Sequence, residues 1–549
     1  MAVLNSRSDH PAKPDYDWPR MTSGAASSSL EVEWQFAAPD LERTLRWLQS
    51  ANVPGYQVVP GSSKQLDDTY FDTSDWRIHR ARFTCRVRRK TSEAELTLKS
   101  MADAVGSMRS RTELTEPLLL EDAGTPSAAP GACGEMTRLI GGRHTLVPIF
   151  SLRTNRTTFE LYDDGGRLGE IAVDDTSIPV AEDAPARLQR IEVEVDAAAV
   201  ARAQRFVDVL IAAAGLEPAG TSKFEAALLA TGLEVASPAE ALGPTVVTAD
   251  MTAGEAAFAI LRKHFQVFLA NEAGTRVGED IEGLHDMRVA TRRMRAAMGA
   301  FAPYLPARMQ LLRSELGWIA ASLGAVRDLD VQIERMAEWR EAAGHDRSHT
   351  LDGIDALLAL RRQRARKRML FALDSRRYDR LVERFATSLR RGPLQSFAPG
   401  RVAILGIAPD LVEKRYRRVR RQGDPIGSSS PPERYHELRI EAKKLRYALE
   451  FVGPIYGKQA LAFSARVTAL QDVLGLHQDA YVAIAELEEM AATSARKLGP
   501  AALLAMGAIV ERYRLHASEL RSQFPKVYKP LAGEEWKGLQ KLMESRRPH

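Results

Sequence analysis

A basic cluster that occurs twice constrains this chain more than any other feature. His285-Asp286-Met287-Arg288-Val289, followed by Arg292, Arg293 and Arg295, returns 151 residues later as His436-Glu437-Leu438-Arg439-Ile440, followed by Lys443, Lys444 and Arg446. The same offset carries Leu323-Gly324 through Asp328 onto Leu474-Gly475 through Asp479. Two features kept at one spacing predict two homologous helical halves. Around them, residues 284–301, 312–323, 353–373, 435–452 and 461–473 combine apolar faces with Arg, Lys and Glu, the pattern of packed amphipathic helices. At helical spacing, positions 285, 288, 292 and 295 share a face, as do 436, 439, 443 and 446. By charge count alone, solvated helix faces or surface ion pairs explain these clusters; the matched repeat favours a cationic groove built from both copies.

Before Asp250 the pattern differs. Short alternating runs such as LEVEWQF, FTCRVRRK, AELTLKS, TFELYDD, GEIAVDD and QRIEVEVD predict strands, interrupted by helices near 39–49 and 197–214, hence an α+β domain. Residues 117–134, rich in Ala, Pro and Gly, read as a connection between strands, and 237–250 as a domain boundary. A chain of 549 residues calls for two to four domains. Residues 1–250 hold 26 Lys/Arg against 36 Asp/Glu and the remainder 50 against 35, so the net +5 divides into −10 and +15. The basic part suggests a polyanionic partner. Two cysteines, Cys85 and Cys133, exclude a disulfide scaffold, and neither an apolar leader nor a long apolar run appears, which together point to the cytoplasm.

The alternating runs also carry chemistry. Glu31 and Glu33 share one strand face, as do Glu192 and Glu194, and facing strands would gather such pairs into an oxygen-rich site for Mg²⁺ or Mn²⁺. Arg86 and Arg88 share a face with Arg82 and Lys90, and Lys99 ends the next strand, a row suited to phosphate oxygens. A sheet with one solvated charged face is an equally weighted reading of these residues alone. Trp34, of opposite parity to the acids, is expected on a packing surface.

Residues 30–229 resemble a CYTH domain of the triphosphate tunnel metalloenzyme family. The resemblance rests on Glu31 and Glu33, Tyr70-Phe71-Asp72-Thr73, Cys85-Arg86-Val87-Arg88-Arg89, Leu96-Thr97-Leu98-Lys99, Arg111-Thr112-Glu113, Arg153 with Arg156, Glu192-Val193-Glu194, and Ser222-Lys223. It implies an α+β eight-stranded antiparallel tunnel barrel that hydrolyses inorganic triphosphate or a related compound with Mg²⁺ or Mn²⁺. It implies metal ligands at Glu31, Glu33, Glu192 and Glu194, then Glu113 and Asp174. Triphosphate would meet Arg86, Arg88, Lys99, Arg111, Arg153 and Lys223, with Arg156 a lesser candidate. Glu31, Glu33, Arg86, Arg88 and Lys99 form the implied catalytic set. The opening motif departs from the family's ExExK pattern, because Gln35 stands where lysine is expected; the resemblance therefore leaves open a weak or inactive phosphate binder, an adenylate cyclase or a thiamine triphosphatase.

Residues 251–535 resemble a CHAD domain on the two basic signatures. The resemblance implies an all-α, pseudo-symmetric pair of helical bundles that binds inorganic polyphosphate through His285, Arg288, Arg292, Arg295 and Arg327, and through His436, Arg439, Lys443 and Arg446. Gln478, the counterpart of Arg327, breaks the symmetry, and the 414–421 row is a less specific basic surface. No nucleic-acid reader motif accompanies the charge. The expected order is a flexible tail (1–29), CYTH domain (30–229), linker (230–250), CHAD domain (251–535) and basic tail (536–549), in a cytoplasmic enzyme associated with polyphosphate granules.

Overall fold

A computed structural model describes residues 27–90, 92–101, 107–180, 184–235, 237–278, 281–343 and 351–548. The expected N-terminal tail lies outside these residues up to position 26. The chain forms two compact units, Met1–Ser237 and Pro238–His549.

In the first unit, β1 (Ser27–Ala37), β2 (Tyr56–Thr73), β3 (Phe83–Arg89), β4 (Ala94–Ser100), β5 (Met108–Leu118), β6 (Leu146–Asp163), β7 (Gly166–Ile178), β8 (Ala186–Val195) and β9 (Glu217–Pro218) make one antiparallel sheet in the order β5-β4-β3-β2-β6-β7-β8-β1-β9, with β5 also paired to β1. Helices α1 (Leu41–Gln49), α2 (Arg77–Arg80), α3 (Ala132–Gly141), α4 (Val200–Ala214) and α5 (Lys223–Thr231) accompany it. The expectation of an eight-stranded tunnel barrel requires correction. Among the described residues the sheet has nine strands, and one edge of β1 is divided between two partners, β5 along Ser27–Trp34 and β9 at Phe36–Ala37. Its other edge pairs with β8 along Val32–Ala37. Gln35 lies at the changeover, donating its backbone N–H to Ser107 O and accepting from Ala219 N.

Strand alternation explains what each face of β1 does. Trp34 and Phe36 are buried with Phe159, Ile171, Val193 and the α4 residues Phe206, Val207 and Leu210. Glu33 and Gln35 are 3% and 5% exposed on the opposite, polar face. The 117–134 connection is more structured than expected: Glu116 accepts from the N–H groups of Gly131, Cys133 and Gly134, capping α3 with a carboxylate.

The second unit is an all-α helical bundle: α6 (Ala253–Ala270), α7 (Glu272–Val277), α8 (Ile281–Ala300), α9 (Arg308–Ala343), α10 (Asp352–Leu373), α11 (Arg376–Arg391), α12 (Ile404–Gly423), α13 (Pro432–Val452), α14 (Lys458–Tyr528) and α15 (Glu534–Ser545). α14 is broken at Gly499, whose φ of 78° precedes Pro500. The repeat is visible in the core. Met287, Met294, Ile319 and Leu323, and their counterparts Leu438, Leu445, Leu470 and Leu474, are all buried in one cluster. Two boundaries shift. From Pro238 on, the expected linker belongs to this unit, with Leu242 in its core. The expected basic tail is largely helix α15, whose Trp536, Leu539 and Met543 are buried. Among the described residues no helix is long and apolar enough to cross a membrane.

Candidate functional site

The polar face of the sheet holds a continuous chain of opposite charges. Asp68, on β2, accepts two hydrogen bonds from Arg88 (2.7 and 2.9 Å) and lies 3.9 Å from Arg86. Arg86 donates to Thr97, which meets Thr115, and Thr115 donates to Glu113 (3.0 Å). Lys99 bridges Glu113 (3.2 Å) and Glu33 (3.6 Å), and Arg111 also pairs with Glu33. Gln35 Nε2 donates to Glu33 Oε1 (3.1 Å) and Glu192 Oε1 (3.3 Å). Arg156 (2.7 Å) and Lys223 (3.0 Å) then reach Glu192, and both pair with the fully buried Asp174. Because a buried carboxylate is costly unless paired, each acid fixes the cations beside it.

The electrostatics follow this pairing. Burial pushes the Glu113 carboxyl up, but Lys99 and Arg86 overcome it and bring it down to about 2. Glu192 is held well below the usual range, Lys223 and Arg156 outweighing burial, and Asp68 is lowered by Arg86 and Arg88 against burial. Glu194 goes the other way. Burial raises it, Lys99 opposes, and Glu33, Glu113 and Glu192 add repulsion; in register it faces Glu33.

The predicted residues divide accordingly. Glu33, Arg86, Arg88, Lys99, Arg111, Glu113, Arg156, Asp174, Glu192 and Lys223 belong to the network. Glu194 is on the same strand face as Glu192 but, among the described residues, shares none of its ion pairs, and the side chain of Glu31 lies outside the described residues. Arg153 is elsewhere: it is 65% exposed and pairs with Asp67, because its parity is opposite to that of Arg156. Among the described residues no three acidic, histidine or cysteine side chains gather in an ion-holding group. Two buried residues were missed, one in the network and one beside it. Asp68 stands opposite Arg88 in register, a relation only strand pairing reveals. Arg190 lies two residues before Glu192 on the same strand face and is 4% exposed; that alternation was readable.

In the helical unit the two signatures lie on α8 and α13. Arg293 of the first and Arg446 of the second share Glu450, at 3.4 and 3.3 Å. Arg288 pairs with Asp328 (3.3 Å), and His436 Nδ1 lies 2.6 Å from Gln478 Oε1. Burial, Arg439 and Arg292 lower Lys443 to about 8, against Asp479, with Arg288 adding to the repulsion. Arg439 is likewise lowered by burial and by Arg292, again against Asp479. Among the described residues the Nε–H groups of Arg292 and Arg439 are buried without an acceptor. Arg288, Arg292, Arg439 and Lys443 thus form one cationic cluster drawn from both copies. His285 is half-buried, Arg295 is exposed, and Arg327 faces Glu334 at 3.0 Å.

Residues 29–225 match the CYTH domain family and residues 259–488 the CHAD domain family. Two uncharacterized proteins of Mycobacterium tuberculosis, from strains CDC 1551 / Oshkosh and ATCC 25618 / H37Rv, are each 27% identical over 490 residues, covering 82% of this chain and 88% of their own length. Among solved structures, the CHAD domain from the plant Ricinus communis is 25% identical with a TM-score of 0.44, covering 52% of this chain and 95% of its own. PptA from Streptomyces chartreusis is 22% identical with a TM-score of 0.42, covering 51% and 99%.

Proposed function

The chain has an N-terminal CYTH domain and a C-terminal CHAD domain, and from that architecture we propose a metal-dependent hydrolase of inorganic triphosphate or a related triphosphate compound, joined to a polyphosphate-binding module. The observation that carries the reading is the buried charge chain from Asp68 to Asp174, in which every cation suited to phosphate is held by a carboxylate on the same face. Arg86, Arg88, Lys99, Arg111, Arg156 and Lys223 bind and orient the phosphate oxygens. Their partner acids keep these side chains fixed before the substrate arrives, so little reorganisation accompanies binding. Asp174, closed in by Arg156 and Lys223, serves to position them.

On this reading a divalent ion would sit on the acid side of the site, drawing together carboxylates that do not gather in an ion-holding group among the described residues. The Glu194 carboxyl, raised by burial and by three neighbouring carboxylates against Lys99, belongs to a group whose repulsion a hard cation relieves. Glu33, Glu113, Glu192 and Glu194, with Glu31, would hold Mg²⁺ or Mn²⁺. Such an ion supplies polarisation of a phosphoryl oxygen and activation of water.

In the helical unit, Arg292 and Arg439, with unfilled buried donors, and Lys443, with its depressed proton affinity, bind the polyphosphate backbone. This reading locates the protein in the cytoplasm, at phosphate-rich particles. The test is incubation of the purified protein with triphosphate, ATP and thiamine triphosphate, with and without Mg²⁺ or Mn²⁺, followed by product analysis. Metal-stimulated phosphate release from triphosphate is expected. Gln35, neutral at a phosphate-facing position, favours a second reading as a binding protein without turnover; retained polyphosphate binding with no product from any substrate would establish it instead.

A further inference from the structure

Arg190 is not used by the network described above, yet it is buried beside it. The β1–β8 register sets Gln35 opposite Glu192 and Ala37 opposite Arg190, so Arg190 is the diagonal neighbour of Gln35 on the same face. Residues in that relation stand about 7–8 Å apart, within reach of long side chains. Arg190 is 4% exposed and Gln35 5%.

Among the described residues the guanidinium hydrogen-bonds to Thr221 Oγ1, which accepts from Nη2 at 3.1 Å, while Nε and Nη1 are buried without an acceptor. Burial lowers its proton affinity; Glu192, two residues along the same strand face, attracts it, and a second buried arginine, Arg109, repels it. The nearby Glu225 is engaged in the capping box of α5 with Ser222. A buried guanidinium with two unfilled N–H donors is costly, and a fork of that shape matches a tetrahedral oxyanion. Gln35, in contrast, adds no charge.

We infer that Arg190, oriented by Thr221, is an anion-binding residue that supplies the positive charge absent at position 35 and takes a phosphoryl group of the bound triphosphate. The inference rests on the triphosphate reading of this site. The charge then comes from β8, the strand beside the one where the motif would place it.

The test is a charge relocation. Full-length protein carrying Arg292→Gln and Arg439→Gln, to silence the helical cluster, is titrated with inorganic triphosphate by calorimetry in the absence of metal. Adding Arg190→Gln is expected to weaken binding about tenfold, and adding Gln35→Lys to that chain to restore most of the loss. Unchanged binding after Arg190→Gln overturns the inference and leaves the triphosphate reading standing. Loss without rescue by Gln35→Lys overturns the charge assignment in favour of a packing role. No triphosphate binding in the starting chain overturns both. If thermal melting shows that Arg190→Gln does not fold, Thr221→Val takes its place; a severalfold loss is expected, and unchanged affinity overturns the inference.

Discussion

Arg153 and Arg156, three residues apart on β6, serve opposite faces of the sheet: Arg153 meets Asp67 in solvent, and Arg156 meets Asp174 and Glu192 in the buried network. Arg156→Gln is therefore expected to cut triphosphate hydrolysis by more than about tenfold, since a charge-assisted contact and its buried partners are both lost. Arg153→Gln should stay within about twofold, as befits an exposed ion pair. Initial-rate kinetics of the two variants measure the contrast, and equal losses would refute the assignment of faces.

Glu113 gives the fold an acid limb. Its folded pKa of about 2 lies below the ordinary 4.5, Lys99 and Arg86 outweighing burial, so its contribution is present above pH 4.5 and disappears as pH falls towards 2. Glu113→Gln should flatten the loss of stability across that window by on the order of 2 kcal/mol. Chemical denaturation at several pH values reads this directly.

Lys443 predicts proton uptake on polyphosphate binding. Its folded value of about 8 lies below the usual 10.5, because of burial and the Arg439 and Arg292 charges; stability from this group therefore rises with pH between those values. A bound polyanion reverses the repulsion and restores the proton. Calorimetry near pH 8.5 in two buffers of different ionisation enthalpy should show net uptake, absent in Lys443→Met.

Arg292 and Arg439 come from different copies of the repeat yet repel one another, which ties both to one site. Replacing either by Gln should lower polyphosphate affinity about tenfold and leave triphosphate hydrolysis unchanged. Competition binding with long-chain polyphosphate distinguishes this from two independent solvated faces, for which neither variant would matter.

Trp536 stacks on Tyr416 with ring centroids 3.8 Å apart and is 6% exposed. Trp536→Ala should cost about 3–5 kcal/mol, seen as a lower denaturation midpoint. A basic tail without a structural role would show no change.

Much of this was readable where the signal is local. The alternation in Val32-Glu33-Trp34-Gln35-Phe36 separates the polar face from the apolar one, and the helical repeat separates core from basic positions. Parity also separates Arg153 from Arg156, although the resemblance places both at the phosphate and ranks Arg153 first. The apolar stripe Trp536, Leu539, Met543 was present in the sequence, overshadowed by the charges around it. Asp68 is different in kind. Its role depends on pairing between β2 and β3, and the division of the β1 edge between β5 and β9 depends on contacts far apart in sequence. Strand alternation fixes faces, whereas register decides neighbours.

Glu450 lies within the second copy of the repeat but answers an arginine from each copy, Arg293 and Arg446. Excising the first copy leaves Glu450 with one cation, and excising the second strands Arg293 without its anion. This one carboxylate therefore couples the two basic signatures through a shared counter-ion.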